Sequence, residues 1–70
     1  MKKILIHTEY IKLDQFLKWC GVAQTGGEAT EMIRGGEISV NGQTETARGK
    51  KLYSGDVVNA LGTDYAVVTE

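Results

Sequence analysis

Basic side chains are the groups in this sequence whose chemistry is most evident. Lys12 and Lys18 stand near the start, Arg34 stands in the middle, and the run Ala47-Arg48-Gly49-Lys50-Lys51 follows it. Lysine and arginine donate hydrogen bonds to phosphate and other anionic oxygens. Three cations within four residues cannot be buried together, so we expect the run to be exposed. Taken alone, the run is as consistent with a solvated loop as with an anion site.

The charge is unevenly distributed along the chain. The net charge of −1 counts against a protein whose whole surface binds nucleic acid. Residues 1–20 and 34–51 each carry +2, residues 21–33 carry −2, and residues 52–70 carry −3. Such a distribution is typical of a small protein that binds a polyanion with one face, although short chains also show it by chance.

Patterns of catalytic or metal-binding residues are missing from the sequence. The single histidine, His7, has no paired carboxylate or cysteine in sequence, and the single cysteine, Cys20, can form no internal disulfide. There is no phosphate-loop lysine motif, nucleophile elbow or set of four metal ligands. We therefore expect no enzyme activity, no metal and no cofactor, and we interpret Cys20 as an apolar filler on a helix.

Length and composition indicate one soluble domain. The chain has 70 residues, of which 41% are apolar and 24% charged, as in ordinary globular domains. The apolar run Ile4-Leu5-Ile6 is too short for a signal peptide or a membrane span. We therefore expect a single domain over residues 1–70, in the cytoplasm and not in a membrane.

The first helix is predicted after Lys12. Apolar residues recur there with helical spacing at Leu13, Phe16, Leu17 and Cys20. Gly21 is suited to end the helix, and Lys12 and Lys18 lie off its apolar side. Trp19 adjoins the apolar stripe, where a packed boundary side chain is favoured over a platform for base stacking.

The second helix is predicted after Thr25. Thr25 and Glu28 have the spacing of a capping box, and Gly35-Gly36 is suited to end the helix. Its apolar stripe consists of Ala29, Met32 and Ile33. Gly26 and Gly27 leave backbone N–H groups bare at the helix start, where a phosphate could bind. A loosely wound helix start is the favoured interpretation of these two glycines.

Strands are predicted on both sides of the helices. Residues 3–7 are predicted as an edge strand, and Ile38 and Val40 alternate with polar residues before Asn41-Gly42, a type I′ turn signal. A return strand, Gln43–Thr46, follows this turn. Residues 57–69 are predicted as a C-terminal hairpin with a turn near 61–64 and a last strand over 65–69.

These motifs together resemble the RNA-binding domain shared with ribosomal small-subunit protein four, the S-four domain. The resemblance covers about residues 11–58. The matching segments are Leu13-Asp14-x-x-Leu17, Gly21-Val22-Ala23, the run from Thr25 to Gly42 with Gly36-x-Ile38-x-Val40-Asn41-Gly42, and Gly55-Asp56-x-Val58. The chain looks like a member of the short stand-alone bacterial subfamily typified by YaaA, whose Glu-Thr-rich strand and following basic run resemble residues 45–51 here.

The resemblance implies a non-enzymatic RNA-binding module of the α/β (α+β) class, with two short helices packed on a small, mostly antiparallel sheet of hairpins. Its partner would be structured RNA, either ribosomal or transfer RNA, or a ribosomal particle or assembly intermediate. The candidate RNA contacts are Lys12, Lys18, Thr25, Gly26, Arg34, Asn41, Arg48, Lys50 and Lys51. Of these, the resemblance implies Lys12, Arg34, Arg48, Lys50 and Lys51 as phosphate contacts. Thr25 matches the family's usual serine cap, whereas Gly26 stands where the family commonly has arginine.

A protein-interaction adaptor of the same fold is the alternative. Its working surface would be the acidic C-terminal hairpin, 57–69, and not the basic residues. An RNA-modifying enzyme is a more distant alternative, because the sequence offers no catalytic part. Retention on heparin that is lost at moderate salt would favour RNA binding, and no retention would favour the adaptor.

Overall fold

The computed structural model describes residues 1–69 as two helices and two sheets. In chain order the elements are β1 (Lys2–Ile6), β2 (Tyr10–Lys12), α1 (Leu13–Trp19), α2 (Gly26–Arg34), β3 (Ile38–Val40), β4 (Gln43–Thr44), β5 (Lys51–Tyr53), β6 (Val57–Ala60) and β7 (Thr63–Thr69). The larger sheet has the order β1-β7-β6-β3-β4, and β2 pairs with β5 in the smaller sheet. The prediction of two short helices on a mostly antiparallel sheet is confirmed.

The larger sheet is built from two hairpins and one added strand. β3–β4 and β6–β7 are antiparallel hairpins joined through the antiparallel pair β3–β6, and β1 lies parallel to β7 at the edge. Asn41 (φ 51°) and Gly42 (φ 86°) both have positive φ, as the predicted type I′ turn requires. Leu61 and Gly62 close the second hairpin in the same conformation.

Several predicted strand limits were wrong by one or two residues. β4 ends at Thr44 and not at Thr46. The Glu45 N–H still donates to the Ile38 carbonyl at 3.0 Å, and beyond it the Glu45 carboxylate accepts from the Ala47 N–H at 3.1 Å, a local bond in place of further strand pairing. β1 covers residues 2–6 and not 3–7, and β7 begins at Thr63 and not at residue 65. The tight Leu61-Gly62 turn lets pairing begin immediately at Thr63, opposite Ala60.

The helices begin and end where the sequence predicts. The Thr25 hydroxyl accepts a hydrogen bond from the Glu28 N–H at 3.1 Å, which caps α2, and Gly36 (φ 77°) follows its end. Gly21 (φ 82°) follows α1 in the same way. No helix within residues 1–69 is long and apolar enough to span a membrane.

One apolar core joins both helices to both sheets. Its buried members are Ile6, Leu13, Phe16, Leu17, Ala23, Ala29, Ile33, Ile38, Val40, Leu52, Val58, Ala60 and Val67. Within residues 1–69 no charged or polar residue is buried. The charged side chains therefore lie at or near the surface, and the fold determines which of them are neighbours.

Candidate nucleic-acid interface

The pairing of β2 with β5 gives one surface two tyrosines and two lysines. The cross-strand pairs are Tyr10 with Tyr53, Ile11 with Leu52, and Lys12 with Lys51. Residues directly opposite each other in an antiparallel pair share a face, and side chains alternate between faces along each strand. Leu52 is buried and Ile11 packs against the core, so the opposite face carries Tyr10, Lys12, Lys51 and Tyr53. We call these four residues the tyrosine–lysine face.

Sequence reasoning missed this strand pair. The signal that could have found it is the inverted order of Tyr10-Ile11-Lys12 and Lys51-Leu52-Tyr53. Antiparallel pairing of two such triplets puts like residues opposite each other. The triplets are far apart in the chain, and each is too short to stand out as a strand.

Lys12 occupies a position where a lysine is locally unfavourable. It is the N-cap residue of α1, its side chain makes no capping hydrogen bond, and Lys51 lies directly opposite it. N-caps favour Ser, Thr, Asp and Asn, and the positive end of the helix dipole disfavours a cation. Like charges opposite each other in a sheet are also destabilising. Local arrangements with such costs are expected at functional or strained sites, and a bound anion would relieve both costs here.

The basic segment is held against the start of α1 by its backbone. The N–H groups of Leu13 and Asp14 donate to the carbonyl oxygens of Lys50 (2.8 Å) and Arg48 (3.1 Å). These bonds satisfy two of the N–H groups that a helix start leaves unpaired, in the absence of a side-chain cap. The Lys50 N–H donates in turn to the Ala47 carbonyl at 3.1 Å, which makes residues 47–50 a tight turn. The segment is therefore a fixed loop beside Lys12.

Four cations thus surround the start of α1, and we call Lys12, Arg48, Lys50 and Lys51 the basic cluster. All four side chains are exposed. None of the four forms an ion pair with a carboxylate anywhere in residues 1–69. The two nearest acids in sequence, Asp14 and Glu45, instead accept from the Gln15 N–H (2.8 Å) and the Ala47 N–H (3.1 Å). Asp14 places one negative charge beside the cluster, but no carboxylate in residues 1–69 forms an ion pair with its four cations.

The tyrosine rings lie beside this charge. The ring centroids of Tyr10 and Tyr53 are 5.8 Å apart with the planes tilted by 44°, and the Lys51 Nζ lies 4.8 Å from the Tyr10 centroid. Tyr10 is 36% exposed and Tyr53 is 45% exposed. Exposed aromatic rings next to cations are typical of surfaces that bind nucleic acid.

The other two predicted cations stand at the C-terminal ends of the helices. Lys18 and Arg34 are exposed and stand in the last turns of α1 and α2, where a cation also favours the helix dipole. Lys18 is six residues beyond Lys12, which corresponds to about 9 Å along a helix axis. The structure therefore brings four of the six predicted cations into one cluster and leaves these two outside it.

The remaining predicted contact residues are Thr25, Gly26 and Asn41. Thr25 and Asn41 make structural hydrogen bonds, and Gly26 has open space around it. The Thr25 hydroxyl is used as the α2 cap, and a Cβ added at Gly26 would meet no atom within 4 Å. The Asn41 side chain donates to the Asp56 carboxylate (3.1 Å) and accepts from the Val57 N–H (2.9 Å). Asn41 therefore links its turn to the start of β6, and its contact with RNA stays a prediction.

Other reactive or aromatic groups do not form a site. Partial burial raises the pKa of the Cys20 thiol, which disfavours a reactive thiolate. Trp19 is 57% exposed, and its indole Nε1 donates to the Leu5 carbonyl at 2.8 Å, so it is fixed against β1 as a boundary side chain. Within residues 1–69 no group of three or more His, Cys, Asp or Glu side chains is placed to hold a metal ion.

Comparison with known proteins identifies the family. The S4 domain family model matches residues 4–68. A curated relative from Bacillus subtilis (strain 168), the probable ribosome maturation protein RlbA, is 48% identical over 59 residues, which cover 84% of this chain and 83% of that protein.

Solved structures give the same result for the fold. YbcJ from E. coli, whose solution structure is described as revealing an ALFAL motif involved in RNA binding, is 28% identical with a TM-score of 0.73, over 97% of this chain and 87% of that one. The 30S ribosomal protein S4e from Thermoplasma acidophilum is 19% identical with a TM-score of 0.64, over 84% of this chain and 31% of that one, and shows the fold alone. The predicted S-four resemblance is confirmed, and the chain belongs to the S4 domain family.

Proposed function

We propose that this protein binds structured RNA without catalysis and contacts the RNA backbone through the basic cluster. The observation that supports this most is the gathering of four exposed cations, none with an ion-pair partner in residues 1–69, around the start of α1. Such a cluster suits the closely spaced phosphates of a folded RNA. Contacts to phosphates give affinity and orientation without reading sequence, so we expect recognition of shape more than of base order.

The relatives suggest which RNA is bound. The Bacillus subtilis relative is named as a probable ribosome maturation protein, and the E. coli structure is described by a motif involved in RNA binding. We therefore propose ribosomal RNA, in the cytoplasm and within a ribosome assembly intermediate, as the target. Lys18, Arg34 and the start of α2 at Thr25 and Gly26 would contact a second stretch of the same backbone.

The acidic adaptor surface receives less support from the contacts. Asp64 lies in the 57–69 hairpin, and its carboxylate accepts from Asn59 Nδ2. Asp56 directly precedes the hairpin, and its carboxylate accepts from Asn41 Nδ2 and from the Tyr53 N–H. Acids that hold neighbouring strands together are less available to a protein partner. Heparin retention lost at moderate salt supports the RNA proposal, and failure to bind heparin at low salt supports the adaptor.

The direct test reverses two charges of the basic cluster. The double variant Arg48→Glu, Lys51→Glu should lose on the order of 100-fold in affinity for a ribosomal RNA hairpin, taking about 1.4 kcal/mol for each reversed charge. Fluorescence anisotropy measures the affinity, and circular dichroism checks that the fold is intact.

The matched control makes the same change of net charge elsewhere. Lys2 and Lys3 are exposed on β1, at the end of that strand away from β2. The variant Lys2→Glu, Lys3→Glu should lose much less affinity than the cluster variant. Equal RNA affinity of the cluster variant and the parent would overturn the proposed site. Equal losses of affinity in the two double variants would show that net charge, and not the basic cluster, determines binding.

A further inference from the structure

An open groove continues from the tyrosine end of the tyrosine–lysine face. It encloses about 550 Å³, and its lining includes Ile6, Thr8, Glu9, Tyr53 and Ser54. Tyr53 therefore belongs both to the tyrosine–lysine face and to the groove wall. A groove of this size lies within the range of small-molecule sites, so it is large enough for one nucleobase.

The two ends of the β2–β5 pair differ in chemistry. The backbone positions of Lys12 and Lys51 are at one end, beside the basic segment, and those of Tyr10 and Tyr53 are at the other, beside the groove. The Lys51 Nζ reaches from its end over the Tyr10 ring, so Lys12 is the cation that stays at the lysine end. The ends are separated by two residues of strand, about 7 Å. The Glu9 carboxylate in the groove lining would repel a phosphate but can accept hydrogen bonds from base amino groups. The arrangement suits a nucleotide with its phosphate at the lysine end and its base at the tyrosine end.

Of the two rings, Tyr53 is the better platform. The Lys51 Nζ lies over the Tyr10 ring at 4.8 Å and partly covers it, whereas Tyr53 is more exposed and faces the groove. Tyr10 contacts Tyr53 at 5.8 Å and so helps to fix its orientation. Trp19 is more exposed still, but it stands in the last turn of α1, at the end away from the basic cluster, and its indole is bonded to β1.

We propose that Tyr53 stacks an unpaired base of the bound RNA while the basic cluster holds the adjoining phosphates. This inference rests on the proposed RNA binding and makes it more specific. The preferred RNA is then a helix with a bulged or looped-out nucleotide, because an isolated aromatic platform can be used only by a base that is free to leave its helix. Tyr10 acts as a positioning residue through its contact with Tyr53.

The test compares two RNA hairpins that differ by one bulged adenosine. The parent protein should bind the bulged hairpin about 5- to 100-fold more tightly, as expected for one stacked base. Tyr53→Ala should lose this preference while keeping its affinity for the unbulged hairpin. Tyr53→Phe, which retains the ring, should keep the preference, and Tyr10→Ala should reduce it partly.

Two further measurements keep the outcomes separate. In NMR spectra the ring protons of Tyr53 should shift upfield with the bulged hairpin and not with the unbulged one. The control variant Leu61→Ala changes an exposed apolar residue of the β6–β7 turn and should leave the affinity for both hairpins unchanged. Equal affinity of the parent for both hairpins, or a preference that survives in Tyr53→Ala, overturns the stacking proposal alone. Failure to bind either hairpin overturns the proposed function itself.

Discussion

The β2–β5 pair and the hairpin regions around β3, β6 and β7 use their polar side chains in opposite ways. Around β6 the side chains bind one another, since Asn41 is bonded to Asp56 and Asn59 to Asp64. In the β2–β5 pair Lys12 faces Lys51, and neither lysine has a carboxylate partner within residues 1–69. The first region uses its polar groups to fix strand positions, and the second leaves its cations available to a ligand.

This difference separates structural polar residues from binding residues within one small domain. A hydrogen bond between two side chains stabilises the folded protein while both partners remain bonded to each other. Two lysines directly opposite each other repel, and a bound anion relieves that repulsion. Substitutions in the two regions should therefore affect different properties, namely the free energy of unfolding in the first and the affinity for RNA in the second.

The largest effect on stability is expected at Asp56. Its two carboxylate oxygens accept from Asn41 Nδ2 and from the Tyr53 N–H at 2.8 Å, which joins the β3–β4 turn to β5. Asp56→Ala should lower the free energy of unfolding by about 1–2 kcal/mol, because two bonds to a charged group are lost. Urea denaturation provides the measurement. The control Asp64→Ala removes one exposed bond and should cost about 0.5 kcal/mol or less, and equal effects of the two changes would contradict the assignment.

Lys12→Gln should separate stability from binding. It removes the repulsion with Lys51 and the cation at the start of α1, so the free energy of unfolding should stay the same or rise by about 0.5 kcal/mol. The RNA affinity should nevertheless fall by about 3- to 10-fold, or about 0.7–1.4 kcal/mol. Thermal unfolding and anisotropy titration give the two values. Lys3→Gln on β1 is the control, and a Lys12→Gln variant that is less stable with unchanged affinity would mean that Lys12 is structural.

Gly26→Arg should raise the RNA affinity, and this is the smallest of the expected effects. Gly26 is the first residue of α2, and a Cβ added there meets no atom within 4 Å. An arginine at this position should raise RNA affinity by about 2- to 5-fold and steepen the salt dependence by about 0.7–0.9, the value for one added phosphate contact. Gly26→Gln controls for the better helix propensity without the charge. The same affinity gain in both variants would show that the charge is not involved.

The local parts of this architecture follow from the sequence. Thr25 caps α2 and Asn41-Gly42 forms the hairpin turn, as predicted, because both depend on neighbouring residues and on backbone conformations that few residue types adopt. The S-four resemblance also identified Arg48, Lys50 and Lys51 as candidate contacts, a role that is still to be measured.

The parts that escaped prediction depend on contacts between distant residues. Lys12 and Lys51 are brought together by strands of three residues whose pairing no local pattern reveals. The carbonyls of Arg48 and Lys50 take the place of a side-chain cap for α1, which sequence reasoning has no means to anticipate. Tyr10 and Tyr53 likewise become a pair only through this long-range register.

The salt dependence of RNA binding tests the central claim most directly. If the four cations of the basic cluster each neutralise one phosphate, a plot of log K against log[salt] for the parent protein and a ribosomal RNA hairpin should have a slope of roughly −3 to −4. The double variant Lys12→Gln, Lys51→Gln should give a slope shallower by about 1.4–1.8, from two lost contacts. Tight binding with a slope near zero, or the same slope in the parent and the double variant, would contradict the account.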